Sequence, residues 1–337
     1  MNIEREVSLP DSLRPSEILK FSIELQALED ADCYTFDFGR TRWFPPFSML
    51  LLSSMLRRFK QSHEGARMRA RNHENHEYAA HLGFFQSFGL GHGNRPGEAV
   101  GSDTYVPIQQ LLVHEIQDYA FESFREVGDV IEEKSKRLAT LLSREEEGPL
   151  FQTLTFSIRE IVRNIVEHSE SPEILLCGQY WPSKGHVEVG IADFGIGVKE
   201  GLAGNVEYKD LNDREALYAA LMPGISGNPF AGMGNDYWQN SGYGLYMTNR
   251  ICRNGGSFFI CSGNSGVRLT STRKQDIECD VTGTSVRLFL NTNYLADLAE
   301  QLQRFRDEGE EAANKFDGTS TGFASSASTM LSRDFEE

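Results

Sequence analysis

Apolar residues recur at helical spacing in the middle of the chain, where Ile158, Ile161, Val162, Ile165 and Val166 fall on one face. A second, polar stripe runs beside it, because Glu160, Asn164 and His168 lie four residues apart. Asn is a poor helix former in mid-helix. An amide between a carboxylate and an imidazole therefore asks for a reason other than solvation.

Around this helix the pattern predicts the other elements. CYTFDF (33–38) reads as a strand, and PFSMLLLSSMLRRF as a helix with Phe47, Leu51, Met55 and Phe59 inward. ARMRAR reads as a second strand and ENHEYAAHLGFFQSF as a second helix, a βαβα order implying a small α/β domain. The Gly- and Pro-rich run at 89–103 is expected to be a surface loop. From about 107 to 145 the pattern is helical and charged, ending before Gly148 and Pro149. EILLCGQYW and HVEVGIAD, joined by PSKG, predict an antiparallel hairpin. A long irregular stretch is expected over 198–241, then a helix at SGYGLYMTNRICRN and strands SFFICS, GVRLTST and TSVRLFLN. This order predicts a two-layer α/β sandwich. Residues 293–312 place Leu295, Leu298, Leu302 and Phe305 at helical spacing, and the Ser/Thr-rich tail from about 316 is expected to be disordered.

Size and composition narrow the function. At 337 residues the chain can hold two domains, and 39% apolar residues suit a globular protein. No window approaches the ~20 apolar residues of a membrane span. The start, MNIEREVSLPD, lacks a basic region followed by an apolar run, so no secretion signal is expected. Five scattered cysteines (Cys33, Cys177, Cys252, Cys261, Cys279) without a CxxC fit reduced thiols in a cytoplasmic protein. A net charge of −16 argues against nucleic-acid binding, although RRFK and GARMRARN are locally basic.

The candidate chemistry begins at HVEVGIADFGIG. Strand alternation puts Asp193 on the same face as Val187, Val189 and Ile191, and a carboxylate does not enter a core without a partner. Gly195 and Gly197 follow, permitting a sharp turn. Later, Gly242 and Gly244 stand at the mouth of a helix, where free backbone N–H groups can seat a phosphate. Gly283 and Thr284 open the last strand.

In order, these stretches read E-x-x-x-N-x-x-x-H, D-x-G-x-G, G-x-G-L and G-T. Over about residues 150–291 this resembles the GHKL ATPase superfamily, which includes histidine kinases, gyrase and anti-sigma-factor serine kinases. The resemblance implies the Bergerat ATPase fold and binding of ATP with Mg²⁺. It implies that Asn164 holds the Mg²⁺, an ion suited to a hard amide oxygen. It casts Glu160 as the general base for water and sets His168 near the phosphates. Asp193 would accept from the adenine amino group, Gly195 and Gly197 would shape the adenine pocket, and Thr284 would complete its water network. Gly242, Gly244 and Leu245 would form the turn over the phosphates, and 198–241 the lid.

The N-terminal region is similar to a STAS domain, the fold of anti-sigma-factor antagonists, with Ser48 near the phosphorylated serine but out of register. His114, in LLVHEIQ, superficially matches a histidine-kinase phosphoacceptor, but the fifty residues before Asn164 are too few for the helical hairpin, so an exposed helical histidine is expected. His73, His76 and His81 miss the zinc-protease spacing, the second falling at i+3. The expected organisation is a STAS-like domain at 1–105, a helical connector at 106–146, an ATP-binding domain at 147–292 and a C-terminal helix and tail at 293–337. The expected function is a Mg·ATP-dependent conformational switch in bacterial regulation or defence, with a protein partner or homodimer. The alternatives are a serine protein kinase of the partner-switching type and a non-catalytic ATP-sensing scaffold.

Overall fold

Strand alternation and helix caps organise the chain into two sheets. The computed structural model describes residues 3–227 and 242–313. The first unit comprises β1 (Glu4–Ser8), α1 (Pro15–Gln26), β2 (Cys33–Asp37), α2 (Pro46–Ser62), β3 (Arg67–Arg71), α3 (Glu77–His81) and α4 (Phe84–Ser87). Its three strands form a parallel sheet in the order β1-β2-β3, with α1 and α2 as the crossovers. The chain continues through β4 (Tyr105–Leu112), α5 (Val113–Glu122), α6 (Val127–Ser143), α7 (Pro149–His168), β5 (Glu173–Trp181), β6 (His186–Asp193), α8 (Gly197–Ala203) and α9 (Asp213–Ala220). It ends with α10 (Gly244–Arg253), β7 (Ser257–Leu269), β8 (Lys274–Asn291) and α11 (Leu298–Ala313). These strands make a five-stranded antiparallel sheet in the order β4-β5-β6-β8-β7. The protein is thus mixed α/β. Among the described residues, no helix is long and apolar enough to cross a membrane.

The expected hairpin is β5 and β6, and the opening stripe is α7, which starts at Pro149 after Gly148 with Ile158, Ile161, Val162 and Ile165 buried. Other expectations are corrected. A strand, β1, and a helix, α1, precede CYTFDF. The helix expected over 74–88 breaks at Gly83, whose φ of +87° is left-handed. The connector does not begin as helix: Tyr105–Leu112 is an edge strand, and a register shift between Val106 and Gln109 disrupts its alternation. The stretch expected to be irregular contains α8 and α9, the latter with an Asn212–Glu215 capping box. SFFICS and the GVRL of GVRLTST belong to one long strand, β7, and the following Thr-Ser-Thr lies in the turn before β8. The remainder of the proposed lid, 228–241, and the Ser/Thr-rich tail lie outside the described residues.

The five-stranded sheet is covered on both faces, so the expected two layers become three. Ile174, Leu176, Val187, Val189 and Ile191 pack with α6, α7 and α10 on one side. Leu175, Cys177, Ala192, Phe259 and Cys261 pack with α1 and α2 on the other. The second core thus crosses from the N-terminal unit into the large sheet. α2 is accordingly apolar and buried all round its first three turns, as a helix between two layers must be. Gly190 lets it approach, since a Cβ there would lie 2.8 Å from the Phe47 Cα. Glu188, buried on the same face, accepts the Phe47 N–H at 3.1 Å, which caps the start of α2, and pairs with Arg287 at 2.6 Å.

Ser48 is fully enclosed at this junction and is not presented to a kinase. His114 is exposed on α5. The N-terminal histidines are engaged locally: His76 Nε2 lies 2.9 Å from the Phe38 carbonyl, His81 Nε2 lies 3.0 Å from the Tyr105 hydroxyl, and His73 packs edge-on to Phe85 and His92. All five cysteines are buried free thiols.

Candidate functional site

The front face of the large sheet, α7 and the start of α10 enclose a cavity of about 680 Å³, a size suited to a small ligand. Its walls include Glu160, Asn164 and His168 from α7, Asp193 at the end of β6, and Gly197 at the start of α8. Gly242, Gly244, Leu245 and Thr284 complete the set of expected residues that line it. Gly195 does not line the cavity. It packs beneath, where a Cβ would lie 1.8 Å from the Ser169 carbonyl oxygen, and its N–H donates to Asp193 Oδ1 at 2.8 Å.

Asp193 is the most constrained group. It is 1% exposed, and its Oδ2 has no hydrogen-bond partner among the described residues. Burial pushes its pKa up to about 7, against the pull of the Gly195 and Thr284 backbone N–H groups. A carboxylate with one satisfied and one orphaned oxygen at a cavity wall suits a ligand that carries a hydrogen-bond donor.

At the other end, helical spacing puts Glu160, Asn164 and His168 on successive turns, as anticipated. Glu160 Oε1 accepts from Arg159 Nη2 at 2.8 Å and Nε at 3.1 Å, and Arg159 also faces Glu132 at 3.5 Å. No hydrogen bond holds the Asn164 amide among the described residues, so both its oxygen and its nitrogen are available to a ligand. His168 closes the helix beside Glu167 at 3.7 Å, part-exposed at the cavity rim. Gly244 begins α10 against Glu160: a Cβ there would lie 2.0 Å from Oε2. Gly242 turns the chain with φ +71° hard against the Ile225 backbone.

Several supporting residues escaped the motif reading. Ser262 Oγ accepts the Val198 N–H at 3.0 Å, donates to the Gly283 carbonyl at 2.8 Å and is met by Thr284 Oγ1 at 3.3 Å, tying α8 to β8. The Ser169 carbonyl accepts the Ile196 N–H at 2.7 Å, fixing the turn after Asp193 to the end of α7. Gly201 and Gly227 bring the two ends of the stretch after β6 together, with a Cβ at Gly227 falling 2.0 Å from the Gly201 carbonyl oxygen. Serines and glycines that act only through tertiary contacts carry no sequence period, and the one available signal was the density of glycine between residues 195 and 227.

Comparison with known proteins finds no matching family model, no similar curated protein and no similar solved structure.

Proposed function

We propose that the chain binds Mg·ATP in this cavity as a GHKL-type ATPase with a Bergerat-like nucleotide domain, and that nucleotide occupancy works as a conformational switch read by a protein partner or a second copy. The observation that carries the reading is the orphaned, buried Asp193 Oδ2, set in the same cavity as the unpartnered Asn164 amide and the Glu160–Gly244 contact. An adenine amino group supplies the donor that Asp193 lacks. The Asn164 oxygen is the group to hold Mg²⁺, whose role when bound is to neutralise phosphate charge. Gly244 leaves backbone N–H groups at the start of α10 unobstructed for phosphate oxygens.

Hydrolysis is preferred over transfer to the chain's own serine, because Ser48 is enclosed between α2 and the large sheet. In that reaction a water oxygen bonds to the terminal phosphorus, the bridging oxygen leaves with ADP, and Glu160 takes the water proton. Arg159 holds the Glu160 carboxylate in place before the reaction. The N-terminal unit keeps the strand-helix-strand order of a STAS-like domain, but its α2 is consumed as a backing to the large sheet. We read it as a support of the site and not as an exchangeable antagonist.

The test is calorimetry with ATP, with and without Mg²⁺. Wild type should bind with a clear metal dependence, and Asn164→Ala should lose that dependence while unfolding at the same urea concentration. Metal-dependent binding that survives Asn164→Ala would refute the assignment. Labelled ATP separates the rival chemistry: free phosphate indicates hydrolysis, and labelled polypeptide in a mixture with a STAS protein indicates a serine kinase.

Gly244→Ala is a second test. The new methyl displaces the Glu160 carboxylate, the flexible end of a side chain, so stability should change by less than about 1 kcal/mol. ATP turnover should fall by roughly 10- to 100-fold, as for other small misplacements of a reacting group. Unchanged turnover would remove Glu160 from the chemistry.

A further inference from the structure

We propose that Arg57, on the N-terminal helix α2, is a positioning residue for the purine end of the cavity, acting through Phe194. The inference rests on reading the cavity as an adenine-nucleotide site. Phe194 directly follows Asp193 and leaves the chain toward the N-terminal helices, where it joins the core that contains α2. The Arg57 guanidinium lies 4.5 Å from its ring centroid, a cation–π contact. The same guanidinium donates to the Ser87 carbonyl and pairs with Glu173.

Glu173 is itself part of the frame around the acid. It opens β5, whose next residue, Ile174, pairs with Asp193 across the sheet. The Phe194 N–H donates to Ser171 Oγ at 3.1 Å, and Ser171 Oγ donates to the Glu173 carbonyl at 2.7 Å. Phe194 is thus held at its backbone by the end of the α7–β5 turn and at its ring by a helix from the other unit. Arg57 does not line the cavity. Its route to the ligand is the one peptide unit between Phe194 and Asp193. The duller role for Arg57 is to staple α2 to the sheet, which would change stability without changing which base is bound.

The full-length chain is titrated with ATP, ADP and GTP by calorimetry, as wild type and as Arg57→Ala, Arg57→Lys and Phe194→Leu. Arg57→Ala should weaken ATP and ADP by the same factor, about 3- to 10-fold, the scale of a partly buried cation–π contact. It should also narrow the preference for ATP over GTP and leave the Mg²⁺ dependence intact. Arg57→Lys keeps a cation over the ring and should recover most of the loss. Phe194→Leu should reproduce the Arg57→Ala defect, and the double variant should be no worse than either single one, as expected for groups acting through one contact. Should Arg57→Ala fail to fold, Phe194→Leu and Arg57→Lys carry the test, the first defective and the second intermediate. Wild-type affinity and base preference in the folded variants would overturn the inference. A wild type that binds no adenine nucleotide would refute the site reading instead.

Discussion

Glu188→Ala should cost about 3–5 kcal/mol of unfolding free energy, the scale for removing one partner of a buried ion pair. Two groups lose their anchor together. Arg287 donates to Glu188 Oε2 at 2.6 and 3.0 Å, and the Phe47 N–H, one of the orphan donors at the start of α2, donates to Oε1 at 3.1 Å. Among the described residues, Arg287 then keeps the Ser257 hydroxyl at 3.4 Å and the Phe289 ring beside it. Glu188→Gln retains an acceptor for Phe47 and loses the charge, so its cost should be smaller. Replacing both Glu188 and Arg287 by apolar residues of similar volume should recover much of the loss, because no buried charge then remains. Urea unfolding of the four proteins measures this order. If Glu188→Ala costs no more than an exposed substitution, α2 is not docked as described.

Glu188 also shows where sequence reasoning stopped. The period-2 pattern of HVEVGIAD correctly puts Val187, Val189, Ile191 and Asp193 together. The same pattern puts Glu188, Gly190 and Ala192 on the opposite face, which a two-layer sandwich gives to solvent. That face is closed by α1 and α2, more than a hundred residues upstream, and a pairing over such distance leaves little local trace. Two traces existed. ILLC is an unbroken apolar run, the signature of a strand covered on both sides. PFSMLLLSSM has no polar face to offer water, only small serines.

β4 was hidden for a different reason. Its bulge and Pro107 break the alternation that identifies a strand, and both are tolerated because it is an edge. α8 and α9 were masked by the glycine content around them, although the capping box at Asn212 was a local signal. The candidate site was legible to the extent that its residues sit on regular elements. The α7 stripe, Asp193 and the start of α10 needed only helix and strand periods to locate. What Arg159, Ser169 and Ser262 do depends on neighbours that no period specifies.

Asp193→Asn should move stability and ligand affinity in opposite directions. The acid's ordinary pKa is 3.8 and its folded value is raised to about 7 by burial. Below the lower value it is neutral in both states and costs nothing. Between the two, the folded chain keeps a proton that the unfolded chain has released, so stability falls as pH rises, and above the upper value the full cost is present. Each tenfold change in proton affinity is worth about 1.4 kcal/mol, so the full cost has an upper limit of roughly 4 kcal/mol. Asparagine does not titrate and can still accept the Gly195 N–H. The ligand-free variant should therefore match wild type near pH 4 and exceed it near pH 8. Asp37, held down to about 2 chiefly by Arg71 and Asn72, contributes with the opposite sign in both proteins and cancels in the difference. Binding reverses the sign. An adenine amino group supplies the partner missing at Oδ2 and favours the ionised acid, so wild-type affinity for ATP should rise as pH passes through about 7, with proton release on binding. Asp193→Asn should lose that pH dependence together with about 1–3 kcal/mol of affinity, the usual range for a hydrogen bond to a charged group. Urea titrations from pH 4 to 8 and calorimetry in buffers of different ionisation heat read the two effects separately. A variant weakened in both would mean that Asp193 supports the fold and does not wait for a ligand.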